Sequence, residues 1–270
     1  MTNSDQPEGR SVYDDLAAAA VESPDVLEAR LTLVGQALVD KQVLGTFTDE
    51  ELAALDGLTL SPAQPSPWYG SLTDAEKTIA LTAALRGLTA RGVYLAEPVD
   101  PETQTFMPHV EPTILALITM RRYVPHLVVA ERKSGDGTDW ALVYPQRSSV
   151  FLVEYIDRRG LHRFELADGD ATLAALTTWC GAADLPAPSL DVTLGRDEIR
   201  AKPDALQPVA EALVATILTR FDPQTPERED WSGVYVGVDG SYVCQPAGEG
   251  TRYHGVDRDG VRGHWRVVCG

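Results

Sequence analysis

Between Leu127 and Leu166 four β-rich runs follow one another at close range: Leu127–Glu131, Trp140–Tyr144, Phe151–Ile156 and Leu161–Leu166. Only Ser134–Asp139, Pro145–Ser149 and Asp157–Gly160 separate the later runs from their predecessors. Parallel neighbours need a crossover of about a dozen residues or more, which these gaps cannot hold, so the strands must turn straight back as an antiparallel meander. Phe151-Leu152-Val153 is apolar at successive positions, hence on both faces, which predicts a central strand covered on both sides.

Helix signals surround this meander. Ser71–Leu95 carries the clearest one. Thr73 and Glu76 have capping-box spacing, Leu81, Ala84, Leu85 and Leu88 form one apolar stripe, and Gly92 suits a C-terminal stop. Upstream, residues 1–11 are expected to be disordered, with helices over Val12–Val21 and Pro24–Lys41. In the second of these, Leu27, Leu31, Val34 and Leu38 are expected to face the core. Thr48 and Glu51 repeat the capping-box spacing ahead of Leu52 and Leu55. Ser61–Gly70 reads as a Pro-rich linker whose Trp68 and Tyr69 plug a core edge. Residues 97–108 read as a loop, Glu111–Arg122 as a helix stopped by Pro125, and Asp168–Cys180 as another helix.

The last third repeats the plan. A linker, Leu185–Ser189, and a short strand, Leu190–Leu194, precede a long helix expected to run to Phe221, with Leu206, Val209, Leu213, Ile217 and Phe221 inward. Its start is blurred by Pro203 and Pro208. A polar loop, Asp222–Asp230, then leads to strands expected at Gly233–Val238, Ser241–Cys244, Arg252–Val256 and Gly263–Val268. Asp239-Gly240 and Asp259-Gly260 are read as two-residue hairpin turns. The expected fold is therefore α+β, a pseudo-two-fold arrangement of two antiparallel β-meanders, each preceded by helices. The divisions are 1–70, an acidic helical region and linker; 71–184, the first half; and 185–270, the second.

Charge narrows the function. The chain carries a net −17. Residues 1–75 alone hold 13 acidic and 3 basic residues, a balance of −10. That sign repels nucleic-acid phosphate and anionic lipid, so neither nucleic-acid binding nor membrane insertion is expected. Ser71–Arg91 followed by Gly92–Leu95 has the local shape of a winged-helix recognition element, but its near charge balance argues against that use. No apolar stretch approaches the ~20 residues of a membrane span, and Met1–Arg10 lacks the pattern of a secretory leader. A cytoplasmic location is expected.

Motifs for chemistry are sparse. Cys244, His254, His264 and Cys269 could be imagined as a zinc set, but their spacing lacks the close pairs of metal-binding turns. Whether they cluster in space is not readable from the sequence, and no metal is expected. Asp257-Arg258-Asp259-Gly260 and Gly135-Asp136-Gly137 are explained by turns rather than calcium loops. There is no nucleophile elbow, phosphate loop or H-E-x-x-H. Cys180 reads as a small buried hydrophobe. No catalytic residue and no cofactor are expected, although acidic residues that converge only in the fold would make an enzyme whose motif is invisible here.

Taken together, Asp49–Leu58 (DEELAALDGL), Leu72–Val93 (LTDAEKTIALTAALRGLTARGV), Ser189–Ala201 (SLDVTLGRDEIRA), Gly233–Val243 (GVYVGVDGSYV) and His264–Val268 (HWRVV) give a recognisable order of elements. That order, from Val26 to the C-terminus, resembles the EspG family of actinobacterial type VII secretion-associated proteins. Two features depart from the family: Asp239-Gly240-Ser241 replaces a longer turn, and the chain is read as ending on a strand instead of a trailing helix. The resemblance implies a non-enzymatic cytosolic chaperone or adaptor that binds the apolar tip of a helical secretion client. It also implies that the hairpin loop Arg132–Asp139 contributes to client contact, through Arg132, Lys133 and Asp136; the plainer reading of these three is a solvated hairpin tip. A different reading, suggested by the acidity, is an immunity or regulatory protein that blocks a basic toxin.

Overall fold

The structure, a computed structural model, describes residues 23–56, 64–100, 105–201, 203–222 and 230–270. The helix expected over Val12–Val21, the polar stretch 1–11 and residues 223–229 of the Asp222–Asp230 loop lie outside them.

The first meander forms as its short gaps dictate: β4 (Leu127–Ser134), β5 (Gly137–Pro145), β6 (Val150–Ile156) and β7 (Leu161–Asp168) pair antiparallel in succession. An earlier strand, β1 (Gln42–Thr48), closes its outer edge against β7. A second run, β9 (Val214–Phe221), β10 (Asp230–Gly237), β11 (Gly240–Ala247) and β12 (Gly250–Val256), also pairs in succession, with β8 (Asp191–Leu194) along β12. The seam between β4 and β9, from Leu127↔Phe221 to Ser134↔Val214, joins them. One ten-stranded antiparallel sheet results, in the order β1-β7-β6-β5-β4-β9-β10-β11-β12-β8. Outward from that seam each side carries three further meander strands and then one edge strand from earlier in the chain. The sheet thus runs through all three of the divisions 1–70, 71–184 and 185–270. The chain is α+β, as its patterning requires.

Alternation sorts side chains to two cores. On one face Leu142, Tyr144, Leu152 and Phe164 pack against α1 (Pro24–Ala37) and α4 (Pro112–Arg122). On the other, Val128, Val143, Val153, Leu218 and Val234 pack against α5 (Gly169–Trp179) and α8 (Arg258–Cys269). Beside the first core lie α2 (Asp49–Asp56) and α3 (Asp74–Ala90); the far end of that same face is covered by α6 (Arg196–Ala201) and the single turn α7 (Gln207–Ala210). β6 contributes to both cores, with Leu152 in one and Val153 in the other, because its apolar residues are consecutive. The Thr73–Glu76 box forms at the start of α3, with Glu76 N–H donating to Thr73 Oγ1 at 3.4 Å and Thr73 N–H to Glu76 Oε2 at 2.8 Å.

Several expectations are corrected. The long helix ending at Phe221 is not there: Pro203 and Pro208 allow only short turns, and Val214–Phe221 is strand β9, held on both edges by β4 and β10. Thr216 and Leu218 are buried, whereas Leu213, placed inward in a helix, is exposed. The last strand, Gly263–Val268, is instead part of α8, which buries Val261, Trp265 and Cys269 at helical spacing. Asp257 caps it by accepting from Gly260 N–H at 2.8 Å, so Asp259-Gly260 opens a helix and is not a hairpin turn. The loop expected over 97–108 contains a separate two-stranded hairpin, β2 (Tyr94–Asp100) with β3 (Thr105–Val110). The helix expected to reach Lys41 stops at Ala37, and β1 follows it. Among the described residues no helix is long and apolar enough to cross a membrane.

Candidate functional site

The three residues expected at the hairpin tip have different surroundings. β4 and β5 run to Ser134 and from Gly137, so the turn has only two residues. Arg132 sits within the ladder and points toward α5. It donates to Asp139 Oδ2 and to the Trp179 carbonyl, each at 2.6 Å, and lies 4.8 Å from the Trp179 ring centroid. Lys133 is exposed and pairs with Glu131 at 2.8 Å. Asp136 is exposed in the turn, its N–H donating to Ser134 Oγ at 3.3 Å. Cys244, His254, His264 and Cys269 do not converge. Val243 pairs with His254 and Cys244 with Tyr253, so Cys244 and His254 project to opposite faces of the sheet. His264 on α8 bonds Ser232 Oγ at 2.8 Å, and Cys269 is buried at the end of α8 beside His126.

The densest group of ionisable residues is one that no motif announced. Asp49, Asp56, Arg121, Tyr144, Glu154 and His162 are all buried. The second capping box, Glu51 N–H to Thr48 Oγ1 at 3.4 Å and Thr48 N–H to Glu51 Oε2 at 3.1 Å, starts α2 with Asp49 as its first residue. Asp49 Oδ2 accepts from the N–H groups of Trp68 and Tyr69, each at 2.8 Å, which explains how that loop is pinned. His162 on β7 places Nε2 2.5 Å from Asp49 Oδ1 and Nδ1 2.5 Å from Glu154 Oε1. Glu154 on β6 also accepts from Arg121 at 3.0 and 3.1 Å and from the Tyr144 hydroxyl at 2.6 Å. Arg121 reaches on to Asp56, the last residue of α2, at 2.7 Å, and Arg122 bonds the same carboxylate and its backbone carbonyl.

Three carboxylates, Asp49, Asp56 and Glu154, face Arg121, Arg122 and His162, and a protonated His162 matches them one for one. Burial alone would lower its pKa, but hydrogen bonds to Asp49 and Glu154, and their charges, outweigh that and raise it. Burial would likewise raise Glu154, yet the Arg121 charge and the bonds from His162 and Arg121 carry it down to about 2. Burial pushes the Tyr144 hydroxyl well up, keeping it a donor. All these polar side-chain atoms have protein partners, so the network binds α2, α4, β5, β6 and β7 to one another and offers no group to a ligand. The signal that could have found it is Glu154 itself, a carboxylate inside the apolar strand Val150–Ile156, which demands a buried partner.

A second feature lies on the outside of the same elements. α1 buries Val26, Leu33 and Ala37, not the predicted stripe. Leu27, Leu31 and Leu38 are 46%, 56% and 50% exposed, and Val34 is only partly buried. Next to this stripe is a cleft of about 370 Å³, walled on one side by Arg30, Leu31 and Val34 and on the other by Tyr123, Pro125, Pro145, Gln146 and Arg147. Tyr123 caps the end of α4 and is 57% exposed. The Gln146 amide fixes the far wall by donating to the carbonyls of Met120 at 3.1 Å and Tyr144 at 3.2 Å. Exposed aliphatic and aromatic groups around a concavity of this size are the usual form of a binding surface.

No family model matches the sequence, and no curated protein matches it.

Proposed function

We propose that this chain is a non-enzymatic, cytoplasmic binding protein, an EspG-like chaperone or adaptor that holds an apolar helical segment of a secretion client. The observation that carries the reading is the outward-facing stripe of α1, Leu27, Leu31 and Leu38, continued by Tyr123 across the cleft. These groups lie on a helix face, so the occupant they suit is another helix packed against α1. From Leu27 to Leu38 the stripe covers 12 residues, about 16 Å at helical rise, enough for three turns of a partner. The buried network supports the same reading, because its ionisable groups are consumed by one another. In this proposal the two sides of the sheet are related by a pseudo-two-fold axis at the β4–β9 seam, and Arg132, Lys133 and Asp136 make a separate client contact at the β4–β5 turn, at the other end of β5 from the cleft.

A photo-crosslinking residue placed at Tyr123, with one at exposed Val238 as control, tests the proposal in the native cytosol. The expected product is a stoichiometric adduct to one helical, apolar peptide, formed at residue 123 only and lost in Leu31→Glu. Equal labelling at both positions would refute the docking face. An adduct to a basic toxin would transfer the assignment to the immunity reading.

A further inference from the structure

The two cations of the cleft belong to the described arginines without an ion pair, as do Arg86, Arg158 and Arg196, and what sets them apart is that they share one apolar cleft. Acidic residues outnumber basic ones 40 to 23, and most described arginines reach a carboxylate, as Arg91 does with Glu51, Arg252 with Asp191 and Arg266 with Asp170. Arg30 and Arg147 form no ion pair with any described carboxylate, and they stand on opposite walls of the same apolar cleft. Arg147 is moreover carried on a turn whose next two residues, Ser148 and Ser149, adopt φ of 61° and 57°. Left-handed backbone at two successive non-glycine positions is uncommon and persists where the surroundings enforce it. Here the turn is closed by Gln146 N–H donating to the Val150 carbonyl at 2.8 Å.

We infer that the cleft's occupant is an amphipathic helix whose apolar stripe is flanked by carboxylates, and that Arg30 and Arg147 read those carboxylates from the two walls. The inference rests on the docking reading above and specifies the partner's chemistry. Leu31, Val34 and Tyr123 supply the apolar part of the two walls, and the guanidinium fork supplies planar, paired donors that match a carboxylate. The protein's overall charge favours a basic partner at long range. At this cleft a lysine-flanked helix meets like charges, so the local and global fields disagree and the local pair sets which helix can seat. Exposed ion pairs contribute little affinity each, at most about fivefold, so the arginines act on selectivity and register more than on strength.

Two labelled synthetic helices with one leucine stripe test this, identical except that the flanking positions are Glu in one and Lys in the other. Fluorescence anisotropy with the full-length protein should show the Glu helix binding about tenfold tighter. That preference should collapse in the Arg30→Gln/Arg147→Gln variant, whose urea midpoint should stay at the wild-type value because neither arginine has a described ion-pair partner. Leu31→Glu should abolish binding of both. If both helices bind equally and the double variant changes nothing, the acidic-flank inference fails while the docking face stands. Tighter binding of the Lys helix overturns it as well. If neither helix binds, the docking face itself is wrong and the inference falls with it.

Discussion

Arg121→Met tests whether the buried network holds the first half of the sheet to its helices. Methionine keeps much of the side-chain volume under Phe164, whose ring centroid lies 5.7 Å from the guanidinium. What it removes is the fully buried cation, leaving Asp49, Asp56 and Glu154 against His162 and the partly exposed Arg122. Removing one partner of a buried pair costs about 3–5 kcal/mol, a large share of the ~5–15 kcal/mol that stabilises a typical domain. Adding Glu154→Met restores the balance, two cations to two anions, and leaves Tyr144 with its contact to Gln64 at 3.1 Å. The double variant should therefore recover at least half of the loss. Urea unfolding followed by tryptophan fluorescence reads both quantities, with an unchanged m value confirming that the same transition is measured. A loss below about 1 kcal/mol for Arg121→Met, or a double variant as unstable as the sum of its parts, would show that the network is solvated and that the charge accounting is wrong.

Three further outcomes follow from other positions. Because the folded pKa of His162 is raised, its contribution is fully present below the ordinary histidine value of ~6.5 and is lost as pH rises through the folded value; urea midpoints should fall as pH rises through it, and His162→Gln should flatten the dependence. Glu154 behaves oppositely, its stabilisation disappearing only as pH falls toward about 2. A Cβ at Gly255 would lie 2.0 Å from the Pro188 carbonyl oxygen, whereas one at Gly263 in α8 meets nothing within 4 Å. Gly255→Ala should thus cost about 3 kcal/mol in thermal unfolding, and Gly263→Ala should stabilise by about 0.5–1 kcal/mol. Thr73→Ala removes the cap of α3 and should cost about 1 kcal/mol in the same assay.

How far the sequence could be read depended on how local each determinant was. The first meander, both capping boxes and the stop after α4 are set by neighbours within a few residues, and all were readable. β9 was not, because Leu213, Ile217 and Phe221 fit a helical stripe as well as Thr216 and Leu218 fit a strand. The choice is made by β4, more than eighty residues away, and by β10. α8 was misread because the window began at Gly263; begun at Asp257, the cap and the Val261, Trp265, Cys269 spacing declare a helix. α1 carries two apolar stripes on adjoining sides, and only its packing on α4 decides that Val26, Leu33 and Ala37 turn inward. For the network the only local signal was Glu154 in its apolar strand; which residues answer it is a property of the sheet.

The interior network and the exterior cleft meet at the end of one helix. Arg121 and Arg122 at the end of α4 bind Glu154 and Asp56, and the very next residue, Tyr123, forms a wall of the cleft. Gln146 ties that helix end to the β5–β6 turn through the Met120 carbonyl, so both sides of the far wall hang on the same anchored segment. An exposed aromatic on a frayed helix end would have to be ordered when a partner docks, at a cost of about 0.5–1.5 kcal/mol for each immobilised side chain. Anchoring Arg121 and Arg122 in the core places that ordering in the folding step instead. The costly buried charges then have a use that replacement by apolar residues would not serve: they fix the angle at which α4 presents Tyr123 opposite the leucines of α1.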